Sequence, residues 1–292
     1  MLDHSDERAQ GTIAQELTIS GRGLLSGTDT RVTLHPRPID SGIAFLRNDA
    51  VIPVSYDQLS FVQSHTTALS IDGRSVMNIE HLMSALAGLG IDNMLVEIEG
   101  DDPPHLIGGN SSNWASLVTS TGVLRQPKSA ACLQVSDSDS FSIGSSLVEM
   151  GPALNGRLAV SIIIDFPLPI GRQSLEYVHL GAHSYVEEIA WARTFCWQSN
   201  EHVWPDGTSH WEWTRARLRM LPSDPNRSPI LCYTEEQWVV PPLQHDEPAR
   251  HKILDFIGDM TLIGCRLAGK FRIHYPGHAV NHEIVRRLLS YR

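Results

Sequence analysis

Residues 251–259 read HKILDFIGD, and their spacing predicts an amphipathic helix. At about 3.6 residues per turn, His251, Asp255 and Asp259 follow one another along one face, while the aliphatic residues between them turn toward a core. A histidine one helical turn before an aspartate can bind one divalent ion, because imidazole nitrogen and carboxylate oxygen both suit zinc. An ordinary solvated helix face with a His–Asp hydrogen bond gives the same spacing. The pattern alone leaves both interpretations open.

A second candidate pair, Glu80 and His81, lies near the start of another predicted helix. Asn78 is a favourable N-cap residue, and apolar residues follow it at the 3.6-residue repeat, so we expect the helix to begin there. Neighbouring helix residues point about 100° apart, so a metal ion held by His81 would lie close to the Glu80 carboxylate. As a dipeptide, Glu-His is common and does not by itself indicate a site.

Further candidates lie outside the predicted helices. His278 falls in a turn before the last helix, and a neighbouring carboxylate from Asp259 would raise its pKa toward that of a useful general acid. Thr194 could offer its hydroxyl to a developing oxyanion, although Arg193 could do so instead, or the two residues could cap a helix end. The chain has 14 histidines, so the position of His278 in this turn could also be a coincidence. The residues alone indicate, at most, a mononuclear metal hydrolase.

Length and composition describe a globular protein with two units. A chain of 292 residues is long for a single core. No apolar run approaches the roughly 20 residues that span a bilayer, and the polar N-terminus is unlike a secretory signal, so we expect a cytoplasmic protein without a transmembrane segment. The net charge of -10 argues against nucleic acid as the main partner. The four cysteines form no C-x-x-C pair, so a metal would need histidine and carboxylate ligands.

The order of the predicted elements favours two α+β units, because strands are followed by helices twice along the chain. The polar segment 125–129 is the best candidate boundary, so we expect an N-terminal domain at residues 1–128 and a C-terminal domain at residues 129–292. The β-branched run at 158–165 predicts a buried strand. The predicted helices include residues 112–120, about 183–192, about 248–262 and 280–290.

Residues 197–246 fit no regular period. Six of the seven tryptophans fall in or beside this segment, together with several prolines. We interpret it as a divergent insert of the second domain, or a lid near a site. A loop folded over a satellite hydrophobic cluster is the alternative.

Four segments resemble, in the same order, the signatures of the UDP-3-O-acyl-N-acetylglucosamine deacetylase family, the zinc amidases of lipid A biosynthesis. Residues 79–93, IEHLMSALAGLGIDN, are similar to the first signature almost residue by residue. The other three segments are ARTF at 192–195, RHKILDFIGD at 250–259 and GHAVN at 277–281. Four matches in order outweigh coincidence at any one of them.

The resemblance implies a fold of two β-α-α-β domains, each a sheet backed by helices, with the active site in the cleft between them. His81, His251 and Asp255 would be the zinc ligands. Three protein ligands leave zinc a fourth position for water, whose pKa falls to about 7 when it is bound in this way.

The resemblance also implies the catalytic roles. Glu80 would be the general base that takes a proton from the attacking water. His278, oriented by Asp259, would stabilise the oxyanion and protonate the leaving amine. Thr194 would donate a hydrogen bond to the oxyanion. The products would be acetate and a free amino sugar.

The implied substrate is a UDP-linked, N-acetylated amino sugar. Lys252 would meet the diphosphate of this nucleotide sugar, and Phe195 is a second expected substrate contact. UDP-3-O-acyl-N-acetylglucosamine is the leading candidate.

The sequence departs from the family at three places. Leu25 stands where the family's Gly-x-Gly-Leu-His signature has histidine, Gly108 aligns with a carboxylate of its Met-Asp-Gly-Ser turn, and 197–246 lacks the features of its acyl-chain insert. The divergent segment 197–246 favours, as a runner-up, the same amide hydrolysis on another N-acylated substrate without a long acyl chain. Leu25 and Gly108 motivate the alternative from another class, a non-catalytic, metal-free binding protein.

Overall fold

Two large sheets with the same strand order form the framework of the chain, in a computed structural model that describes residues 8–60, 66–104, 110–197 and 230–291. The strands of the first half are β1 (Ala9–Ile13), β2 (Leu17–Arg22), β3 (Asp29–Pro36), β4 (Ile43–Arg47), β5 (Ala50–Pro53), β6 (Leu59–Ser60), β7 (Ala68–Ile71), β8 (Arg74–Val76), β9 (Met94–Glu99) and β10 (Val123–Ser129). Those of the second half are β11 (Cys132–Gln134), β12 (Asp139–Ile143), β13 (Ser146–Gly151), β14 (Leu158–Asp165), β15 (Arg172–Val178), β16 (Thr194–Trp197), β17 (Ile230–Tyr233), β18 (Trp238–Val240) and β19 (Arg266–His274). The helices are α1 (Glu80–Gly88), α2 (Ser112–Ser120), α3 (Ala182–Glu188), α4 (Glu247–Met260) and α5 (His278–Ser290).

The strand order repeats in the two halves. The first sheet runs β2-β3-β9-β4-β5 and the second β12-β13-β19-β14-β15, with β11 also beside β19. In each sheet the central strand pairs antiparallel with one hairpin and parallel with the other. One helix precedes the central strand and one follows it, α1 and α2 in the first half, α4 and α5 in the second. The α+β class expected from the sequence is confirmed.

The strands form where the sequence alternates or is β-branched. In β3, Val32 and Leu34 are fully buried while Arg31 and Asp29 face solvent, as the two-residue period of a one-sided strand requires. The run in β14 buries Val160, as expected for a strand covered by helices. Their apolar faces place the core between each sheet and its helices.

The polar segment proposed as a boundary is itself a strand. Residues 125–129 belong to β10, which pairs antiparallel with β1. The side-chain amide of Gln126 also ties β10 to the first sheet: it donates to the Arg37 carbonyl after β3 at 2.9 Å and accepts from the Asn93 amide before β9 at 2.7 Å. The segment is therefore not a loop, and the division at residues 128 and 129 stays a prediction.

The start of α1 differs from the expected N-cap. Asn78 has a φ of 54°, in the left-handed region that asparagine tolerates, and Ile79 occupies the cap position without a side-chain cap bond. The Ile79 amide instead donates to the Thr67 carbonyl at 3.4 Å. The prediction of Asn78 as the N-cap was wrong. The hydrogen bond between Ile79 and Thr67, the residue before β7, holds the chain where the helix begins.

The other predicted helices are all present. Helix α2 has the predicted bounds, while α3 ends at Glu188, earlier than predicted. Within the described residues, no helix is both long and apolar enough to cross a membrane.

Most of the segment without a regular period lies outside the described residues. Its described part contains β17 and β18, which form a small sheet with β16. The interpretation of residues 197–246 as an insert or lid therefore stays a prediction, although its end is regular structure.

Candidate active site

Helices α1 and α4 cross closely and bring residues from the two halves of the chain together. Gly258 of α4 lies against α1, where a Cβ atom built on it would fall 2.2 Å from the Glu80 carbonyl oxygen. The crossing places His81 of α1 beside His251 and Asp255 of α4, with the two imidazole centroids 5.1 Å apart. All three of these side chains are buried.

The three residues form a cluster suited to a metal ion. Their candidate ligand atoms lie within 4.8 Å of one another. Asp255 Oδ1 is 3.2 Å from His251 Nε2 and 3.7 Å from His81 Nε2. Among the described residues this buried oxygen accepts no hydrogen bond. A buried carboxylate oxygen facing two imidazole nitrogens leaves room for a cation between them.

The protonation states match those of a ligand set. Burial lowers the pKa of His81 to about 3 and also lowers that of His251, so both rings are neutral at pH 7. The Nδ1 atom of His251 donates to the Ala192 carbonyl at 3.0 Å, which leaves Nε2 as the free ligand atom. Burial alone would raise the pKa of Asp255, but His251 and Lys252 hold it below its ordinary value.

Lys252 and Phe195 lie at the edge of this cluster. The Lys252 ammonium donates to Asp255 Oδ2 at 3.0 Å and lies 5.1 Å from the centroid of the Phe195 ring. The Phe195 ring also packs edge-on against His251, with centroids 6.2 Å apart. The expected contacts of Lys252 and Phe195 with a substrate stay predictions, and both side chains are adjacent to the candidate ligands.

Glu80 is held by the two threonines that precede β7. Its carboxylate accepts hydrogen bonds from the Thr66 hydroxyl at 3.0 Å and from the Thr67 amide at 3.1 Å. Burial raises the pKa of Glu80 to about 7, despite the opposing effect of His278. A carboxyl group with a pKa near neutrality can accept and release protons at physiological pH.

His278 begins α5 and is paired with Asp259. Its Nδ1 atom donates to Asp259 Oδ2 at 2.8 Å, while its Nε2 atom is 3.8 Å from Glu80 Oε1. Burial favours the neutral ring, but Asp259 outweighs it and raises the pKa of His278 to about 9. The ring therefore carries a proton at pH 7 and presents it toward Glu80.

Thr194 is the first residue of β16 and is half-buried. The preceding residue, Arg193, fixes this position: its guanidinium pairs with the buried Glu247 carboxylate at 2.8 Å, and its own amide donates to the same carboxylate at 3.1 Å. The Arg193 guanidinium is therefore paired with Glu247 at the start of α4. The role expected for Thr194 stays a prediction.

Several residues of the site were not foreseen. Thr67 contacts Asp259, His278 and His282, and the Asn281 amide donates to Asp259 Oδ2 at 2.8 Å. Asn281 and His282 lie three and four residues after His278, a helical spacing that the sequence did contain. Thr66 and Thr67 are without such a signal, because their contacts come from distant parts of the chain.

Among the departures from the family pattern, Leu25 lies outside these clusters. The amide of Leu25 donates to the fully buried Asp102 carboxylate at 2.7 Å, which holds the turn that contains it. Leu24, beside it, packs in an apolar cluster with Cys196, Ile230 and other residues of the small sheet. Gly108 lies outside the described residues.

Comparison with known proteins gives a consistent result. The family UDP-3-O-acyl N-acetylglycosamine deacetylase matches residues 10–290. The chain is similar to the UDP-3-O-acyl-N-acetylglucosamine deacetylase of Myxococcus xanthus, with 33% identity over 96% of this chain and 86% of that protein. It is also similar to the protein of the same name from Xanthomonas axonopodis pv. citri, with 31% identity over 96% of this chain and 90% of that protein.

Proposed function

The chain belongs to the UDP-3-O-acyl N-acetylglycosamine deacetylase family, and we propose that it removes the N-acetyl group from a UDP-linked amino sugar. UDP-3-O-acyl-N-acetylglucosamine, the intermediate of lipid A biosynthesis, is the leading substrate. The reaction is hydrolysis of an amide, which consumes one water molecule and releases acetate and a free amine. The names of the two relatives support this assignment.

The observation that carries the proposal is the buried cluster of His81, His251 and Asp255. Two neutral imidazoles and one carboxylate form a donor set that suits zinc. Within the described part of the chain, Oδ1 of that carboxylate accepts no hydrogen bond. We propose these three residues as the zinc ligands. When bound, zinc supplies a Lewis acid that polarises the amide carbonyl and lowers the pKa of a water molecule.

Glu80 and His278 then divide the proton transfers. Glu80, oriented by the Thr66 hydroxyl and the Thr67 amide, takes a proton in its ionised form from the attacking water as a bond forms between the water oxygen and the amide carbon. The protonated His278 stabilises the developing oxyanion, and its Nε2–H passes a proton to the amine nitrogen as the C–N bond breaks. Asp259 keeps that ring oriented through Nδ1.

Three further residues complete the proposal. The Thr194 hydroxyl would donate a hydrogen bond to the oxyanion. Thr194 is the first residue of β16, and the ion pair between Arg193 and Glu247 fixes the start of this strand beside α4. Lys252 would meet the diphosphate of the nucleotide, and Phe195 would contact the substrate near His251. The contacts of Lys252 with Asp255 and of Phe195 with His251 support the roles of these two residues.

A second candidate is the same chemistry on an N-acylated substrate without a long acyl chain. The divergent sequence of residues 197–246 favours it. An acetate-release assay on UDP-N-acetylglucosamine with and without a 3-O-acyl chain separates the two. Release only from the acylated sugar supports the leading substrate, and equal release from both supports the second.

A non-catalytic binding protein is distinguished by its metal content. The purified protein should contain about one zinc ion per chain, a chelator should abolish acetate release, and added zinc should restore it. Protein that binds no zinc at neutral pH and releases no acetate would contradict the proposed function.

A further inference from the structure

The hydroxyl of Thr67 contacts three ionisable side chains on two helices. Its oxygen lies 2.5 Å from Asp259 Oδ1, 2.9 Å from His282 Nε2 and 3.4 Å from His278 Nδ1. Thr67 is only 1% exposed, so water does not replace these contacts. The charged and titratable groups that face this residue are Asp259 from α4, His278 and His282 from α5, and Glu80 from α1.

The direction of each hydrogen bond follows from the chemistry of the groups. Asp259, ionised beside the protonated His278, only accepts, so the Thr67 hydroxyl donates to Oδ1. The hydroxyl oxygen is then an acceptor, and the neutral ring of His282 must carry its proton on Nε2 to donate to it. The other carboxylate oxygen accepts from His278 Nδ1 and from the Asn281 amide, both at 2.8 Å. Three donors therefore fix the plane of the Asp259 carboxylate.

The backbone of Thr67 is tied to the other side of the site. Its amide donates to Glu80 Oε2 at 3.1 Å, and its carbonyl accepts from the Ile79 amide at the start of α1. One residue thus touches the carboxylate of Glu80 through its backbone and that of Asp259 through its side chain.

We propose that Thr67 is a positioning residue for the deacetylation. It sets the geometry of Glu80 relative to the Asp259–His278 pair, and His282 orients the Thr67 hydroxyl. This inference rests on the proposed function. The reaction moves one proton to the Glu80 carboxylate and another from His278 Nε2. Glu80 Oε1 and His278 Nε2 lie 3.8 Å apart in this structure. A rotation of Asp259 would carry the His278 ring with it and misplace the donated proton. The Thr67 hydroxyl opposes that rotation.

The first test replaces the hydroxyl while keeping the shape. We expect Thr67→Val to lower kcat by about tenfold or more, with KM within about twofold of wild type, because only the transition state needs the aligned proton donor. Thr67→Ser keeps the hydroxyl and should restore kcat to within about threefold of wild type.

Thr12→Val is the matched control. Thr12 is another buried threonine, whose hydroxyl donates to the Asn93 carbonyl at 2.7 Å away from the site. The same hydroxyl accepts from the Arg37 amide at 3.2 Å, so its replacement removes two hydrogen bonds away from the site and should leave kcat unchanged. Wild-type kcat in Thr67→Val, or a Thr67→Ser variant no better than Thr67→Val, would overturn the proposal.

The second test does not depend on activity. Nitrogen NMR of the wild-type chain with labelled histidine should show His282 protonated on Nε2 and bare on Nδ1. The opposite tautomer overturns the hydrogen-bond arrangement, even if Thr67→Val does not fold. Wild-type protein that releases no acetate from any N-acetylated sugar refutes the proposed function, whereas the tautomer still decides whether the Thr67 hydroxyl accepts from His282.

Discussion

Gly258 lies against the backbone of Glu80 at the point where α4 crosses α1. A Cβ atom on Gly258 would be 2.2 Å from the Glu80 carbonyl oxygen, closer than real Cβ contacts come. Because His81 is on one of these helices and His251 and Asp255 are on the other, the missing side chain sets the separation of the candidate ligands. The same contact holds the backbone of Glu80 against α4.

Gly258→Ala should therefore weaken zinc binding as well as folding. Overpacking at this contact should cost about 1–3 kcal/mol of unfolding free energy and lower zinc affinity measurably. Urea denaturation and competition with a chelating dye measure the two effects. The control is Gly88→Ala, whose Cβ would meet the Tyr185 ring at 2.3 Å and which should destabilise without the same loss of zinc affinity. Wild-type zinc affinity in Gly258→Ala would show that this contact does not set the separation of the candidate ligands.

Asp255→Ala should release the metal. The cluster loses its only carboxylate, and two imidazoles alone are too few ligands for a tight zinc site. Elemental analysis after dialysis should find zinc in wild type and little in the variant. Wild type at a free zinc concentration of about 100 times Kd should be stabilised by about 2.7 kcal/mol, and the variant should not respond. Asp165→Ala, at an exposed aspartate of β14, is the control. Stoichiometric zinc in Asp255→Ala would exclude this residue as a ligand.

Glu80→Gln should keep zinc and lose turnover. The amide has nearly the shape of the carboxylate but cannot take a proton from water, so kcat should fall by a factor on the order of 100 or more. Acetate release and zinc content measured on the same sample separate chemistry from metal binding. Glu176→Gln, at an exposed position of β15, should match wild type in both measurements. Unchanged turnover in Glu80→Gln would remove this residue from its proposed role.

The deacetylation rate should fall as pH rises through the pKa of His278, which Asp259 raises to about 9. The acid must be protonated to act, so the activity is present below that pKa and is lost above it. Asp259→Asn removes the attraction and leaves burial, which favours the neutral ring, so the alkaline limb of kcat/KM should move to lower pH by about one unit or more. An alkaline limb at the same pH in both proteins would show that another group limits the rate.

The local part of the site could be predicted from the sequence. His251, Asp255 and Asp259 lie at intervals of one helical turn on α4, and periodicity alone puts them on one face. Their meeting with His81 is a tertiary contact between helices that are far apart in the chain. Only the resemblance to a family supplied it, since no local period encodes a helix crossing.

The remaining contacts of the site could not be inferred in this way. Thr67 has no distinctive spacing, and its three partners come from other elements of the chain. The same limitation explains the error at Asn78: its cap propensity was correct as a preference, but the bond between Ile79 and Thr67 decided where the helix starts. The polar composition of residues 125–129 likewise led to the prediction of a boundary instead of the strand β10. The partner strand, β1, lies at the opposite end of the first half of the chain, so no local pattern indicates the pairing.

The repeated strand order has a consequence for how activity depends on assembly. Each half contributes a complete sheet with its own pair of helices, yet neither half contains the whole set of reactive groups, since Glu80 and His81 belong to one and His251, Asp255 and His278 to the other. The proposed hydrolysis would therefore take place only where the two halves meet. A chain in which both sheets have folded but have not docked would be inert, so catalysis reports on that docking.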